Sequence, residues 1–250
     1  MEVVAVVNRK GGVGKTATAQ ALGAGLMRKG YKVLYIDLDS QTNLSYGLGA
    51  DMTAPSSMDL LTGEATVQQA IQKTPQGDAI AGSEALAGAD AAIDGTGKEY
   101  RLKEALDGLH YDFVVIDTPA ALGTLTVNAL TAANSVIIPV QAEVYSLQGI
   151  GQLSKAIEAV RKYCNRDLRI RGILITRYNG RAFISKDMQG NLQEAADQLK
   201  TRLYSTPIRE CVSIKEAQAM QTDIYSYAPR SNAAKDYEAF LDEFMERKRK

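Results

Sequence analysis

The sequence predicts an α/β fold: a mostly parallel, twisted sheet with helices on both faces, in three layers. Three observations lead there. Short β-branched apolar runs alternate with longer stretches of helical period, which is how a parallel sheet covered by helices reads along a chain. A glycine-rich segment joins the first apolar run directly to a helical stretch. Two further runs end in aspartates, which places acids at the carboxyl edge of the sheet, where open α/β sheets bind their ligands. The length of 250 residues suits one domain spanning 1–250, since a chain of this size buries most of its unfolded surface around a single core.

The first strand is expected over 3–7, and the helix over 15–29 follows the glycine segment and stops at Gly30, a natural C-cap. A second strand covers 33–36, a helix 64–73 and a short strand 79–81. The segment 82–98, rich in Ala, Gly and Asp, has the weakest pattern and suits a loop or short helix where insertions are tolerated. Then come a helix over 99–107, a strand over 113–116, a helix over 124–133, a strand over 136–140, a helix over 146–162 and a strand over 170–175. Helical period closes the chain over 186–202, 213–220 and 231–247. No internal repeat and no long linker interrupts this order.

Composition narrows the function classes. Apolar residues make up 45% and charged residues 23%, and no run of about 18 apolar residues is present to cross a bilayer. The chain enters a strand at Val3 with no secretory leader pattern, so a soluble, cytoplasmic protein is expected. Cys164 and Cys211 are too few for a disulfide framework and form no metal-binding Cys-x-x-Cys. The lone His110 has no histidine or cysteine near it to share a metal. Net charge is zero but unevenly spread: residues 1–160 hold 11 Lys/Arg against 17 Asp/Glu, a balance of −6, and 161–250 hold 18 against 12, a balance of +6. A polyanion would meet the C-terminal third.

Chemistry concentrates in Asn8-Arg9-Lys10-Gly11-Gly12-Val13-Gly14-Lys15-Thr16, followed by Ala17 on the first helix. In a strand, glycine loop, helix context, successive backbone N–H groups point at a phosphate chain. The glycines remove the Cβ atoms that would block it, and the helix N-terminus adds its positive end. Lys15 would reach the β- and γ-phosphates, and the Thr16 hydroxyl would bind Mg²⁺. The usual pattern G-x-x-x-x-G-K-[ST] is not met in full, because Arg9 stands at its first glycine; Lys10-Gly11-Gly12 stands in compensation. Two acids, Asp37 and Asp39, end the second strand on one face. Asp117 ends the apolar strand 113–116, the arrangement that holds a nucleotide-bound metal through water.

Residues 10–16 match the signature K-G-G-x-G-K-[ST] at every position. The chain thereby resembles the deviant Walker-A P-loop ATPases, the family of ParA-type partitioning proteins and of the division-site regulator MinD. The likeness runs through the rest of the chain. Asp37-Leu38-Asp39-Ser40-Gln41 corresponds to D-x-D-P-Q with Ser40 in place of proline, and Asp117-Thr118-Pro119-Ala120 begins a switch segment. Pro139-Val140-Gln141 with Ser146-Leu147-Gln148-Gly149, and Thr176-Arg177-Tyr178-Asn179, look like the family's later strand ends.

The resemblance implies ATP and Mg²⁺ as cofactors, with residues Gly11, Gly12, Val13, Gly14, Lys15, Thr16 and Ala17 cradling phosphates and Thr16, Asp37 and Asp117 serving the metal. It implies that Asp39 orients the attacking water and that Asn179 contacts adenine with Pro207 packed on the base. It also implies that Lys10 crosses a nucleotide-sandwich dimer to the partner's phosphates, so that hydrolysis depends on dimerisation. A ParA-type member would use its ATP-bound homodimer to bind DNA without sequence preference. Arg181, Lys186, Arg209, Lys215 and Lys235 are the basic candidates, and a separately encoded ParB-like adaptor is the implied partner. The segment 208–237 is closest to the ParA-type tail.

Alternatives from other branches differ in what the chain must supply. A MinD-like protein ends in a membrane-inserting amphipathic helix. Here Tyr237, Phe240, Leu241, Phe244 and Met245 have helical spacing, but Asp242, Glu243 and Glu246 oppose an anionic membrane, so core docking is expected. An electron-transfer ATPase like the nitrogenase iron protein needs cysteines after Asp117 to hold its cluster, and none follows there. A small-molecule kinase or synthetase of the same fold would reveal itself by phosphorylating a metabolite rather than hydrolysing ATP alone.

Overall fold

A computed structural model describes residues 1–143, 146–179 and 183–246. Its centre is a seven-stranded sheet, reached in chain order by β1 (Glu2–Val6), α1 (Lys15–Arg28), β2 (Val33–Asp37), α2 (Asn43–Leu48), α3 (Ser57–Thr62), α4 (Val67–Ala70), β3 (Ile71–Thr74) and β4 (Gly77–Ile80). After a 3₁₀ turn at Glu84–Gly88 come α5 (Ala89–Ala92), α6 (Arg101–Ala105), β5 (Phe113–Asp117), α7 (Thr124–Ala132), β6 (Ser135–Gln141), α8 (Ser146–Tyr163) and β7 (Arg169–Thr176). The chain closes with α9 (Phe183–Gln198), α10 (Val212–Ala219), α11 (Ile224–Tyr227) and α12 (Asn232–Met245).

The strand order is β3-β4-β2-β5-β1-β6-β7. Every pair is parallel except β3–β4. Because side chains alternate along a strand, the sheet feeds two cores. Val3, Ala5, Ile36, Val114, Ile116 and Ile138 pack on one face with residues of α3, α6, α7, α8 and α9. Val4, Val6, Tyr35, Val115, Ile137 and Leu174 pack on the other with residues of α1, α2, α10, α11 and α12. Burying each such side chain contributes roughly 1.5–3 kcal/mol, and the two layers hold the sheet's carboxyl edge rigidly between them.

On α12, Tyr237, Phe240, Leu241 and Phe244 are all buried. The Ser231 side chain accepts from Ala234 N at 3.1 Å to cap this helix, and Phe244 meets Phe113 with ring centroids 6.3 Å apart. The apolar stripe of the last helix is therefore spent on the core. No helix among the described residues is long and apolar enough to cross a membrane.

One expectation fails outright. The helix expected over 64–73 ends at Ala70, and Ile71–Thr74 is an antiparallel edge strand paired to β4. The turn Pro75-Gln76-Gly77 decides it: Gly77 sits at φ 116, a value that favours glycine, and folds the chain back on itself. The short helices α2, α3 and α11 carry too few periodic residues to stand out in the sequence. The segment 82–98 resolves into the 3₁₀ turn and α5, docked onto the sheet by buried Leu86, Ala89 and Ile93.

Candidate nucleotide site

The register of the central strands assembles the site. β1 pairs β5 so that Val6 lies beside Asp117, and β2 pairs β5 so that Asp37 lies beside Asp117. Two acids thus stand at the same level on adjacent strands, next to the loop that leaves β1.

That loop is held from beneath by the strand ends β6 and β7. Asn8 Nδ2 donates to Pro139 O at 2.6 Å, and its Oδ1 accepts from Lys10 N at 3.0 Å. Gln141 Nε2 donates to Gly12 O at 3.1 Å, and Thr176 Oγ1 donates to Val13 O at 2.7 Å. Gly12 and Gly14 lie at φ 74 and 83, the left-handed region that non-glycine residues avoid. A Cβ built on Gly11 or Gly12 would meet no protein atom within 4 Å, so the space over the loop is open for a ligand. Asn8, Gln141 and Thr176 were not singled out as site residues in the sequence. Their only signal was their place at strand ends flanking the loop.

The loop residues Gly11, Gly12, Gly14, Lys15, Thr16 and Ala17 line a cavity of about 730 Å³ together with Asp39. Lys15 is buried. Burial lowers the pKa of its ammonium, while Asp117 and Asp39 oppose that shift. Such a cation gains most from an anion placed in the cavity.

Thr16 Oγ1 donates to Asp117 Oδ2 at 2.6 Å. Asp117 is fully buried, and its Oδ1 has no hydrogen-bond partner among the described residues. Burial, then the charge of Asp37, push the Asp117 carboxyl well above the usual carboxylate range against the pull of Thr16 and Lys15. An orphaned buried carboxylate oxygen beside a threonine hydroxyl is a hard-oxygen donor set, so these residues fit Mg²⁺.

Asp37 is differently placed. Its Oδ2 accepts from Ser45 N at 2.9 Å and Ser45 Oγ at 2.7 Å, and its Oδ1 accepts from Asp39 N at 3.0 Å. Burial raises its pKa while these hydrogen bonds lower it. Both oxygens are engaged, whereas the half-buried Asp39 lines the cavity. Lys10 does not line the cavity; its Nζ forms an ion pair with Glu143.

At the far end, the segment after α9 runs beside the end of β7. Ile208 N donates to Ile175 O at 2.8 Å and Tyr178 N donates to Ile208 O at 2.9 Å; Pro207 and Asn179 adjoin this pairing in sequence but do not themselves line the cavity. The cavity wall there is Arg177, Ile208, Arg209 and Cys211, flanking both residues.

Of the described basic candidates, Arg209 and Lys215 line the cavity and Lys235 does not. Arg209 is held by Asp236, with Nε to Oδ2 at 2.8 Å and Nη2 to Oδ1 at 2.5 Å. Lys215 lines the cavity and Lys235 is exposed on α12. Arg181 and the side chain of Lys186 lie outside the described residues.

Residues 1–170 match the family model described as AAA domain. The sporulation initiation inhibitor protein Soj of Bacillus subtilis is 38% identical over 243 residues, covering 94% of this chain and 95% of that protein. The chromosome partitioning protein ParA of Caulobacter vibrioides is 36% identical over 258 residues, covering 100% and 96%. Among solved structures, cobyrinic acid a,c-diamide synthase from Mycobacterium smegmatis, crystallised with ADP and magnesium, aligns with a TM-score of 0.82 at 35% identity, covering 97% of this chain and 93% of that one. The septum site-determining protein MinD of Pyrococcus horikoshii, complexed with Mg-ADP, aligns with a TM-score of 0.79 at 27% identity, covering 98% and 96%.

Proposed function

This chain belongs to the ParA-type branch of the ParA/MinD family of P-loop ATPases, and from that premise we propose that it is an ATP-gated dimerising switch for DNA partitioning. In this reading the whole chain acts as one domain, cytoplasmic and associated with the nucleoid, and the ATP-bound homodimer holds DNA without sequence preference until hydrolysis to ADP and phosphate releases it.

The observation that carries the reading is the division of labour between two lysines in one loop. Lys15 is buried and faces the cavity, while Lys10 points away from it to Glu143. In this reading Lys10 serves a phosphate of a second subunit, as an arginine finger does. Its ion pair with Glu143 is exposed and therefore worth no more than about 1 kcal/mol, so it yields easily when a partner's phosphates arrive.

Within one subunit, the loop amides and Lys15 bind the phosphates, and Thr16 and Asp117 hold Mg²⁺. Bound there, Mg²⁺ offsets the charge of the phosphate oxygens. Asp39 orients the attacking water, and Asn179 with Pro207 receives adenine. Lys215, Lys235 and the remaining basic candidates contribute phosphate contacts to DNA, and a ParB-like adaptor stimulates hydrolysis.

The test is ATP-dependent retention on DNA alongside ATPase rate as salt is varied. Retention that needs ATP and falls steeply with salt supports the reading; no retention at low salt removes DNA from it. The solved synthase at 35% identity keeps a second reading in view, a small-molecule kinase or synthetase. Phosphate appearing on a metabolite instead of in solution would favour that one. Burial of the α12 apolar stripe speaks against a membrane-inserting role of the MinD type.

A further inference from the structure

Asp37 and Asp39 stand two residues apart on one strand end, yet their side chains do different things. Asp39 lines the cavity, with Oδ1 accepting from Gln41 N at 3.0 Å. Asp37 is buried to 1% exposure and spends both oxygens within the chain. Oδ1 accepts the backbone N–H of Asp39 at 3.0 Å, and Oδ2 accepts both the backbone N–H and the hydroxyl of Ser45, at 2.9 and 2.7 Å.

Ser45, in α2, is equally buried, and its Oγ in turn accepts from Gly82 N at 2.8 Å. The carbonyl of Asp37 accepts from Ser57 Oγ at 2.6 Å. Gly82 closes the arrangement by contact: a Cβ on it would lie 3.1 Å from both Asp37 Cγ and the Asp39 carbonyl. Ser45, Ser57 and Gly82, from three separate segments, thus converge on Asp37, whose Oδ1 in turn holds the backbone N–H of Asp39.

We infer that Asp37 is a positioning residue, held by Ser45 and Gly82, that fixes the Asp39 backbone so that its carboxylate meets the attacking water, and that it is not a ligand of Mg²⁺. The inference rests on Asp39 having the water-orienting role proposed above. The contrast with Asp117 supports it. Asp117 keeps one oxygen unpartnered beside Thr16, as a metal ligand awaiting its ion would. Asp37 accepts hydrogen bonds on both oxygens, one on Oδ1 and two on Oδ2. Turning it to a metal would strip three hydrogen bonds from a buried site, including one that orders Asp39. Misplacing a catalytic group by even about 1 Å costs on the order of 10²-fold in rate, so the value of the relay lies in turnover and not in binding.

The experiment compares wild type, Ser45→Ala and Asp37→Asn for kcat, for affinity toward a fluorescent ATP analogue, and for the Mg²⁺ concentration that half-saturates the rate. Ser45→Ala is expected to lower kcat about 10-fold and Asp37→Asn about 10²-fold, with ATP affinity and the Mg²⁺ half-saturation unchanged within about twofold. A rise of tenfold or more in the Mg²⁺ requirement of Asp37→Asn would make Asp37 a metal ligand and overturn the inference, as would unchanged kcat in both variants.

Should either variant fail to fold, amide exchange of the wild type with Mg²⁺ and a non-hydrolysable ATP analogue decides the matter. Slow exchange at Asp39 and Ser45 supports the relay, and fast exchange at both shows that Asp37 has left them. That measurement also separates two failures. A wild type that binds ATP but never hydrolyses it defeats the proposed function, while the exchange rates still report whether Asp37 holds the strand end.

Discussion

The phosphate end of the cavity and its C-terminal wall are built on opposite principles. At the phosphate end, charged groups are buried with bonding capacity left over: Lys15 faces the cavity with one long bond, to Lys10 O at 3.4 Å, and Asp117 Oδ1 is orphaned. In the C-terminal wall, charges are mostly satisfied within the chain: Arg209 grips Asp236, and Arg177 pairs with Glu210 at 2.9 Å. The first region has been organised in advance for a ligand that brings its own charge. The second holds itself together and leaves Lys215 in the wall, with Lys235 exposed outside it on α12, to offer a polyanion. On the proposed function, nucleotide binding would be a property of the single subunit, and DNA binding would need two subunits to add their sparse positive charges.

The largest effect should come from the region built for a ligand. Lys15→Gln removes the buried cation and its charge-assisted bonds, each worth about 1.5–3 kcal/mol. ATP affinity should fall by roughly 10²-fold or more in a titration with a fluorescent analogue, and an affinity within twofold of wild type would erase the contrast.

A second test uses the carboxyl of Asp117, whose pKa is raised above the ordinary 3.8 by burial. Because the folded state holds that proton more tightly than the unfolded state, the contribution of Asp117 to stability is fully present below the ordinary carboxylate range and is lost as pH rises through the raised pKa. Without Mg²⁺ and nucleotide, thermal melts should therefore show the Tm of wild type falling relative to that of Asp117→Asn on going upward from about pH 4. Mg²⁺ should restore wild type at neutral pH and leave the variant unmoved.

Smaller effects are expected in the C-terminal wall, and of another kind. Arg209→Ala leaves the buried Asp236 with only the backbone N–H of residue 209, at a cost of about 1–2 kcal/mol after allowing for the exposed guanidinium, or a Tm lower by several degrees at this chain length. If the variant instead melts like wild type but loses DNA, Arg209 serves the polyanion and the contrast is wrong. Lys215→Ala and Lys235→Ala should leave the Tm in place and each reduce the salt slope of DNA retention by about one.

The same contrast explains how much could be read from the sequence. The phosphate loop, the acid-ended strands and the α/β alternation are contiguous in the chain, because strand, turn and helix must follow one another to aim successive amides at a phosphate. The layered sheet with helices on both faces was legible for the same reason. What escaped depends on meetings across the chain. Ser45 reaches Asp37 across 8 residues and Gly82 across 37, and no local pattern marks a serine as the partner of a buried acid. The edge strand Ile71–Thr74 was read as helix because four residues carry little period, and pairing with β4 overrode it. Arg209 looked like a surface cation until α12 folded back and delivered Asp236.

Trans action of Lys10 is tested most directly by mixing two inactive variants. Lys10→Ala keeps Asp39 in its own site, and Asp39→Ala keeps a Lys10 to lend. In a mixed dimer, one site then has both groups. With random pairing, half the dimers are mixed and each has one complete site, so the mixture should recover about a quarter of the wild-type ATPase rate per subunit, while each variant alone stays near zero. Full activity of Lys10→Ala by itself, or no recovery on mixing, would contradict trans action by Lys10.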